Sequence, residues 1–152
     1  MHTAARFSLA LLAATTVAPS RAAAQTAADS AGIRAAALDY IEGWYAGDAT
    51  RMERALHPEL AKRIVLTDPR SGRSQLQSMG AMTLVNSTRE GGGTRTPEAR
   101  KQKDVTILDI YQRAAVAKII ASDWIDYLEL AVWNGKWVIV NVLWERKPQP
   151  SP

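Results

Sequence analysis

The sequence has no cysteine and only two histidines among its 152 residues. Without cysteine, a disulfide framework, a thiolate nucleophile and a cysteine-bound metal are all excluded. His2 lies in a segment that we expect to be removed, which leaves His57 as the single imidazole of the mature chain. A lone histidine does not make a histidine-based metal site. The serines lack the sequence context of a nucleophile elbow, so a serine-triad hydrolase is not indicated either. We therefore expect no metal and no bound cofactor.

A strong excess of charge is also missing. The chain has 19 basic and 15 acidic side chains, for a formal net charge of +4. Arg6 and Arg21 belong to the segment that we expect to be lost, so the mature excess is smaller still. Such a balance does not indicate a nucleic-acid partner or an anionic membrane surface. A composition that is 47% apolar is instead typical of one domain with a packed core.

The first 24 residues have the pattern of a secretory signal peptide. Arg6 precedes an apolar run from Phe7 to Val17, and Ala22-Ala23-Ala24 matches a small-residue cleavage site. The apolar run is short for a membrane span, and no later run is long enough for one. We therefore predict cleavage near Ala24 and a mature protein that is periplasmic or secreted, with no membrane span.

The remainder divides into one domain, residues 25–147, and a tail, residues 148–152. Alternate prolines prevent the tail from joining a helix or a central strand. Within the domain, residues 91–103 combine three glycines and a proline with four basic side chains and offer almost nothing to bury. That composition predicts a mobile loop.

Two helices are predicted at the start of the domain. Ser30 is placed to cap the first, whose apolar residues recur at helical spacing and which ends at Gly47. Asp48 is placed to cap the second, which is shorter and ends before Pro58. One further helical turn is predicted over residues 58–62.

The next segment carries signals for both strand and helix. Residues 63–67 predict a short strand and residues 68–72 a turn, whereas residues 74–79 fit either a strand or a helix. Ser78 is placed to cap a helix over residues 80–89. Its apolar side chains are Met82, Leu84 and Val85.

The most apolar part of the chain, residues 104–145, predicts a four-stranded antiparallel meander. Asn134-Gly135 suits a type I′ turn, and Gln112-Arg113 and Ser122-Asp123 are interpreted as two further two-residue turns. Because side chains alternate along a strand, these turns define an inner face of the sheet. Its predicted members are Thr106, Leu108, Ile110, Ala115, Ala117, Ile119, Ala121, Trp124, Asp126, Leu128, Leu130, Val132, Trp137, Ile139, Asn141 and Leu143.

The outer face of the same sheet mixes charged and apolar side chains, which is typical of a surface that contacts a partner. Its predicted aromatic members are Tyr111, Tyr127, Trp133 and Trp144. We predict that the protein forms a homodimer through this convex face.

Three segments carry a family resemblance: DYIEGWYAGDATRMERALHPELAKR, VTILDIYQRAAVAKIIASDWIDYLEL and NGKWVIVNVLW. They resemble the nuclear transport factor 2-like superfamily, specifically its lumazine-binding branch near the SnoaL-like proteins. The resemblance covers residues 33–147. It implies an α+β cone in which N-terminal helices pack on the concave face of a curved antiparallel sheet, and the name of the branch implies a pteridine ligand.

Asp126 is the most informative polar residue of the predicted inner face. An ionised carboxylate among apolar side chains costs several kcal/mol unless it is paired or hydrated, so Asp126 either has a partner or borders a cavity. In the enzymes of the superfamily, acids on this face act as general base or as hydrogen-bond donor. The resemblance thus makes Asp126 a candidate catalytic residue, with His57 or a tyrosine as its assistant. The alternative for His57 is that it ends a helix and packs beside Pro58.

The predicted ligand-binding residues are the aromatic and polar side chains that face the space between the first helix and the sheet. Aromatic side chains suit a flat ligand, although at this spacing they also fit a plain core. The predicted set is Tyr40, Trp44, Trp124, Asp126, Trp137 and Asn141.

Three functions fit the sequence. The one that we predict is an exported protein that binds a small flat organic molecule in a pocket between the helices and the concave sheet. The second is an isomerase, dehydratase or cyclase that uses Asp126 as acid or base. The third is a non-catalytic dimeric interaction domain whose interior is filled by tryptophans.

Overall fold

The structure is a computed structural model that describes residues 21–148, with side chains from residue 27 onward. The predicted signal peptide up to residue 20 and the tail residues 149–152 lie outside the described residues. Every helix between residues 21 and 148 is either too short or too polar to span a lipid bilayer.

The described chain has three α-helices, one 3-10 helical turn (Glu98–Arg100) and six β-strands, which confirms the predicted α+β class. The first helix leads into a short second one, two strands and a third helix, and four strands complete the domain. The elements are α1 (Arg21–Ala46), α2 (Ala49–Ala55), β1 (Leu56–Thr67), β2 (Ser74–Gly80), α3 (Ala81–Arg89), β3 (Lys103–Tyr111), β4 (Ala114–Ala121), β5 (Trp124–Trp133) and β6 (Lys136–Arg146).

Helix α1 is longer than predicted. The alanine-rich sequence before Ser30 has a high helix propensity and extends the helix, so Ser30 lies inside α1 and is not its cap. The helix ends where predicted: Ala46 is its last residue, and Gly47 follows with a φ of 69°, the left-handed conformation that favours glycine. Asp48 caps α2 as predicted, because its side chain accepts the Arg51 backbone N–H at 3.0 Å.

The segment after α2 is a strand, which corrects the helical turn predicted for residues 58–62. Leu60, Lys62 and Ile64 alternate as buried side chains along β1, and the residues beside Lys62 are the half-buried Ala61 and the exposed Arg63. Pro58 is tolerated because the ladder between β1 and its neighbour is interrupted in this region.

Residues 74–79, for which helix and strand were both open, belong to β2. Ser78 therefore lies in a strand, and α3 begins after Gly80 with no side-chain cap. Leu84 and Val85 are buried as predicted, whereas Met82 is 58% exposed.

The six strands form one sheet in the order β2-β1-β6-β5-β4-β3. Every neighbouring pair is antiparallel except β1 with β6, which is parallel. The sheet is therefore mixed, which corrects the prediction of an antiparallel sheet. All three helices contribute to the apolar cluster on the inner face of the sheet. The core thus lies between the helices and the sheet.

The turns of the meander follow the prediction. Gln112 adopts a positive φ of 52°, and Asn134 and Gly135 have φ values of 48° and 78°, as a type I′ turn requires. The hairpin register starts as predicted, with Val132 facing Trp137. The predicted inner face is confirmed for these buried residues of β4, β5 and β6: Ala115, Ala117, Ile119, Ala121, Asp126, Leu128, Leu130 and Ile139.

A β-bulge in β6 corrects the faces predicted for the end of the chain. The register shifts by one residue after Ile139, so that Glu129 faces Asn141. One extra residue moves every later side chain to the opposite face. Asn141 and Leu143 therefore lie on the outer side and Trp144 on the inner side, which reverses the prediction for all three.

A second bulge, in β3, has the same effect at Leu108. Leu108 is 51% exposed and Thr106 is exposed as well, although both were predicted to face inward. Val105 and Ile107 pack against the core in their place, and Ile110 remains inside as predicted.

Candidate functional site

A buried ion pair lies on the inner face of the sheet. Asp126 on β5 is fully buried, and the side chain of Lys62 on β1 is only 7% exposed. The Lys62 ammonium donates to Oδ1 of Asp126 and, at 2.7 Å, to the Tyr40 hydroxyl oxygen. Oδ2 of Asp126 accepts from the Tyr40 hydroxyl at 3.2 Å and from Trp124 Nε1 at 2.6 Å. The carboxylate is therefore held by three donors, and the charges of the pair cancel.

Three elements far apart in the sequence deliver these groups. Tyr40 belongs to the buried stripe of α1, and Lys62 takes its position from the alternation of β1. Trp124 and Asp126 are two residues apart on β5 and so project from the same face. The site thus exists only when α1, β1 and β5 are packed together.

Burial shifts the pKa values of Lys62 and Tyr40 in opposite directions. It lowers the pKa of Lys62 below its usual 10.5, although the neighbouring carboxylate of Asp126 acts against that change. It raises the pKa of Tyr40 well above its usual 10.0, and the negative charge of Asp126 and the hydrogen bond to it add to the rise. Tyr40 is therefore a neutral phenol. Lys62 loses its proton more easily than an exposed lysine does.

Above about pH 10, the protein is expected to lose stability faster than a Tyr40→Phe variant. The phenol of Tyr40 ionises near pH 10.0 in the unfolded chain but keeps its proton to higher pH in the folded chain. The unfolded state then binds fewer protons, so the free energy of unfolding falls as pH rises, by at most about 1.4 kcal/mol per pH unit. Urea unfolding between about pH 9 and 11 measures both slopes. Tyr127→Phe, on the outer face, is the matched control, and equal slopes for wild type and Tyr40→Phe would contradict the expectation.

A cavity of about 160 Å³ borders the ion pair. Its wall is mainly aromatic and apolar, and Lys62 is the charged side chain among the residues that line it. Asp126 lies behind this wall, shielded by the residues that bind it. The lining residues are Tyr40, Trp44, Met52, Lys62, Met79, Leu84, Ser87, Trp124 and Trp144.

Trp144 reaches this wall because of the bulge in β6. Its indole Nε1 is buried and has no hydrogen-bond acceptor among residues 27–148. The Lys62 ammonium lies 4.9 Å from the centroid of its ring, within the range of a cation–π contact. A buried donor without an acceptor costs about 1–3 kcal/mol, so an acceptor on a ligand would remove a penalty that the unliganded protein carries.

Trp44 closes another side of the cavity. Its ring stands edge-on to Trp124, with 6.4 Å between centroids and an angle of 86° between planes. Gly92 and Gly93 lie directly against it, since a Cβ added to either would fall within 2.4 Å of a Trp44 atom. The glycine-rich part of residues 91–103 therefore supports the cavity wall, a role that its composition alone did not indicate.

The structure brings together four of the six predicted ligand-binding residues. Tyr40, Trp44 and Trp124 line the cavity, with Asp126 behind them. Trp137 lies elsewhere, packed on Gly32 and donating to Asp29 at 3.2 Å. Asn141 is on the outer face, where its Nδ2 donates to Glu129 at 2.8 Å.

His57 does not join Asp126 in a dyad. Its ring packs edge-on against Trp133 with 4.6 Å between centroids, and its Nδ1 accepts the Glu59 backbone N–H at 3.1 Å. The hydrogen-bond partners of Asp126 are Lys62, Tyr40 and Trp124 instead. His57 therefore has a packing role at the start of β1.

Lys62 and Trp144 are the site residues that sequence reasoning missed. The buried alternation of Leu60, Lys62 and Ile64 was a readable strand signal, but Pro58 and the neighbouring helix favoured a helical interpretation. Trp144 carried no such signal, because its face depends on the bulge.

The chemistry available at the cavity wall belongs to Lys62. An amine at the edge of an aromatic cavity can donate hydrogen bonds or, once it has lost its proton, act as a nucleophile. Asp126 has each of its oxygens engaged by a donor and lies behind the wall, which does not favour it as the acid or base that meets a ligand. Among residues 27–148, no three histidine or carboxylate side chains are grouped so that they could hold a metal ion.

The family model described as "Putative lumazine-binding" matches residues 28–145. This range contains every residue of the cavity wall and the ion pair. No curated protein matches the chain.

Solved structures with the same architecture are described as nuclear transport factor 2-like proteins of unknown function. One from Methylobacillus flagellatus has a TM-score of 0.61 and 21% identity, over 80% of this chain and 94% of its own. One from Silicibacter pomeroyi has a TM-score of 0.60 and 16% identity, over 80% and 98%. One from Shewanella baltica has a TM-score of 0.59 and 18% identity, over 81% and 97%. At such identities these likenesses establish the fold.

Proposed function

We propose, from the premise that this chain belongs to the family described as "Putative lumazine-binding" in the nuclear transport factor 2-like superfamily, that it binds a small ring compound in the cavity beside Lys62. The ligand that suits the site is flat, largely apolar and carries a carbonyl group in its ring or attached to it. Binding, and not acid–base catalysis by Asp126, is the function that the geometry supports best.

One observation carries this proposal: the cavity of about 160 Å³ is walled by four aromatic side chains and has a lysine at its edge. Binding sites for small molecules are concave, mostly apolar and furnished with a few placed polar groups. A cavity of about 150 Å³ with an apolar lining holds benzene. This cavity therefore has room for one aromatic ring with small substituents.

The polar groups of the wall determine which ring compounds fit. Lys62 and Asp126 neutralise each other, so the wall offers hydrogen-bond donors without a net charge that would attract an anion. A carbonyl oxygen accepts hydrogen bonds from the Lys62 ammonium and from the unpartnered Trp144 N–H. Lumazine, which the family name mentions, is a fused two-ring compound with two such carbonyls on one of its rings, so it requires the wall to widen.

The proposal includes export and self-association. Export is supported by the signal-peptide pattern of the first 24 residues. Homodimerisation through the outer face of the sheet is supported by exposed aromatic and apolar side chains on that face, which include Leu108, Tyr127, Trp133 and Leu143. Trp144, which was also predicted there, lies on the inner face instead.

Ring carbonyl compounds are expected to raise the melting temperature of the protein. A ligand at 100 times its Kd adds about 2.7 kcal/mol to the free energy of unfolding. Trp144→Phe keeps an aromatic wall but removes the N–H donor, so affinity is expected to fall by about 2- to 10-fold, the effect of one hydrogen bond. Thermal unfolding followed by circular dichroism, with benzamide and lumazine as probes, measures both effects.

Trp133→Phe is the matched control, because Trp133 lies outside the cavity and is half exposed. It should bind both probes like the wild type. If no compound in a panel of one- and two-ring carbonyl compounds raises the melting temperature, the proposed function is wrong. If Trp144→Phe binds as tightly as Trp133→Phe, the assignment of the Trp144 N–H is wrong.

A further inference from the structure

Lys62 differs from the other five lysines of the chain in its surroundings. Its amine is buried at the wall of a cavity, next to aromatic rings at 4.9 and 5.4 Å and in contact with one carboxylate and one phenol. Lysines become nucleophiles when desolvation favours their free amine. The cavity provides that desolvation, together with a place for an electrophile.

We propose that Lys62 forms a covalent imine with an aldehyde or ketone that occupies the cavity. This inference rests on the proposed function, because the reacting compound is a ligand of the same cavity, and it specifies the ligand as a reactive carbonyl compound of about one ring.

The first step requires no group beyond the ion pair and the ligand. A proton moves from the Lys62 ammonium to Oδ1 of Asp126 along their hydrogen bond, which leaves a free amine and a neutral acid. In a site of low polarity the neutral pair is accessible, since both charges disappear together. The nitrogen lone pair then attacks the carbonyl carbon, a C–N bond forms, and the π electrons of the carbonyl move to its oxygen.

Tyr40 is placed to relay protons during the remaining steps. Its hydroxyl accepts from Lys62 at 2.7 Å and donates to Asp126 at 3.2 Å, and its side chain lines the cavity. Through this hydroxyl the acid of Asp126 protonates the alkoxide, and the nitrogen returns a proton to the carboxylate. Asp126 then protonates the hydroxyl group of the carbinolamine, again through the Tyr40 hydroxyl, and that group leaves as water while the C=N bond forms.

The product balances without any change of oxidation state. The three protons of the original ammonium end as two on the released water and one on the imine nitrogen, and the carbonyl oxygen leaves in that water. The protonated imine then carries the positive charge next to the Asp126 carboxylate, as the ammonium did before. The ion pair is therefore preserved in the adduct, which favours its formation in a buried site.

Trapping with benzaldehyde and sodium cyanoborohydride tests the proposal on the full chain. The hydride reduces any imine to a stable benzyl amine, and peptide mapping by mass spectrometry locates it. Burial lowers the pKa of Lys62, and the cavity holds the aldehyde next to its amine. The Lys62 peptide is therefore expected to be benzylated roughly tenfold more than the peptide of exposed Lys103. Preference of this size at substoichiometric aldehyde supports the proposal.

The decisive readout uses the wild-type chain and so does not depend on a variant that fails to fold. Uniform labelling of the lysines, or none at Lys62, overturns the proposal. Asp126→Asn should weaken the preference for Lys62 if the carboxylate takes part in proton transfer, and Glu129→Gln, on the outer face of the same strand, should leave it unchanged.

Benzyl alcohol separates failure of the imine from failure of the binding site. It has the same ring as benzaldehyde but no electrophilic carbon. If benzyl alcohol raises the melting temperature while benzaldehyde is not trapped at Lys62, the imine is wrong and the binding cavity stands. If neither compound interacts with the protein and the carbonyl panel also fails, the proposed function itself is wrong.

Discussion

Asp126→Asn is expected to lower the free energy of unfolding by about 3–5 kcal/mol, the cost of removing one member of a buried ion pair. The substitution leaves the Lys62 ammonium, with 7% of its side chain exposed, opposite a neutral amide. Because an asparagine has nearly the shape of an aspartate, little of this loss arises from a new cavity. Urea unfolding monitored by tryptophan fluorescence measures it.

Two further variants isolate the effect of charge. Glu129→Gln makes the same chemical change at an exposed position on the outer face of β5 and is expected to alter stability by less than about 0.5 kcal/mol. The double variant Lys62→Met/Asp126→Asn contains no buried charge, so it should recover at least half of the loss seen in Asp126→Asn. Losses that simply add in the double variant would show that the two side chains do not stabilise each other.

Gly93→Ser is expected to cost about 1–3 kcal/mol, the range for overpacking a close-packed site. A Cβ at this position would lie 2.4 Å from the backbone oxygen of Trp44 and 2.4 Å from a ring carbon of the same residue. The backbone atom cannot move aside without displacing α1, so the loop itself must shift. Near-ultraviolet circular dichroism should change as well, because Trp44 packs edge-on against Trp124.

Gly80→Ser is the matched control for this clash. The nearest atom to a Cβ at Gly80 is the Leu60 backbone oxygen at 3.8 Å, an ordinary contact. Gly80 also occupies the cap position of α3, where serine is favoured. The free energy of unfolding of Gly80→Ser should therefore be unchanged or slightly higher. A loss as large at Gly80 as at Gly93 would contradict the role given to the glycine-rich segment.

The parts of the fold that the sequence predicts correctly are those determined locally. The Asn134-Gly135 turn fixes the start of the last hairpin, and Asp48 and Gly47 mark helix ends through their own conformational preferences. The bulges are different, because β6 has apolar side chains at several consecutive positions and both registers bury some of them. A single inserted residue then decides the face of Trp144 without leaving a pattern in the sequence.

Only part of the candidate site could be predicted from the sequence. The alternation along β5 places Asp126 inward, and the cost of an unpaired buried charge implies that it has a partner or borders a cavity. The sequence around Asp126 does not identify that partner, because Lys62 stands 64 positions earlier in a segment that also fits a helix. Contacts between elements distant in sequence carry this information, and they are absent from any local pattern.

The parallel pairing of β1 with β6 has a consequence for the order in which the chain folds. Arg63 stands opposite Leu143, 80 positions later, whereas the meander strands meet across two-residue turns. Closing the long loop costs more entropy than closing the short ones, so the hairpins should assemble early and β1 should dock late. Until then, the valine-rich edge of β6 is open to other chains, and refolding yields should improve on dilution as competing aggregation declines.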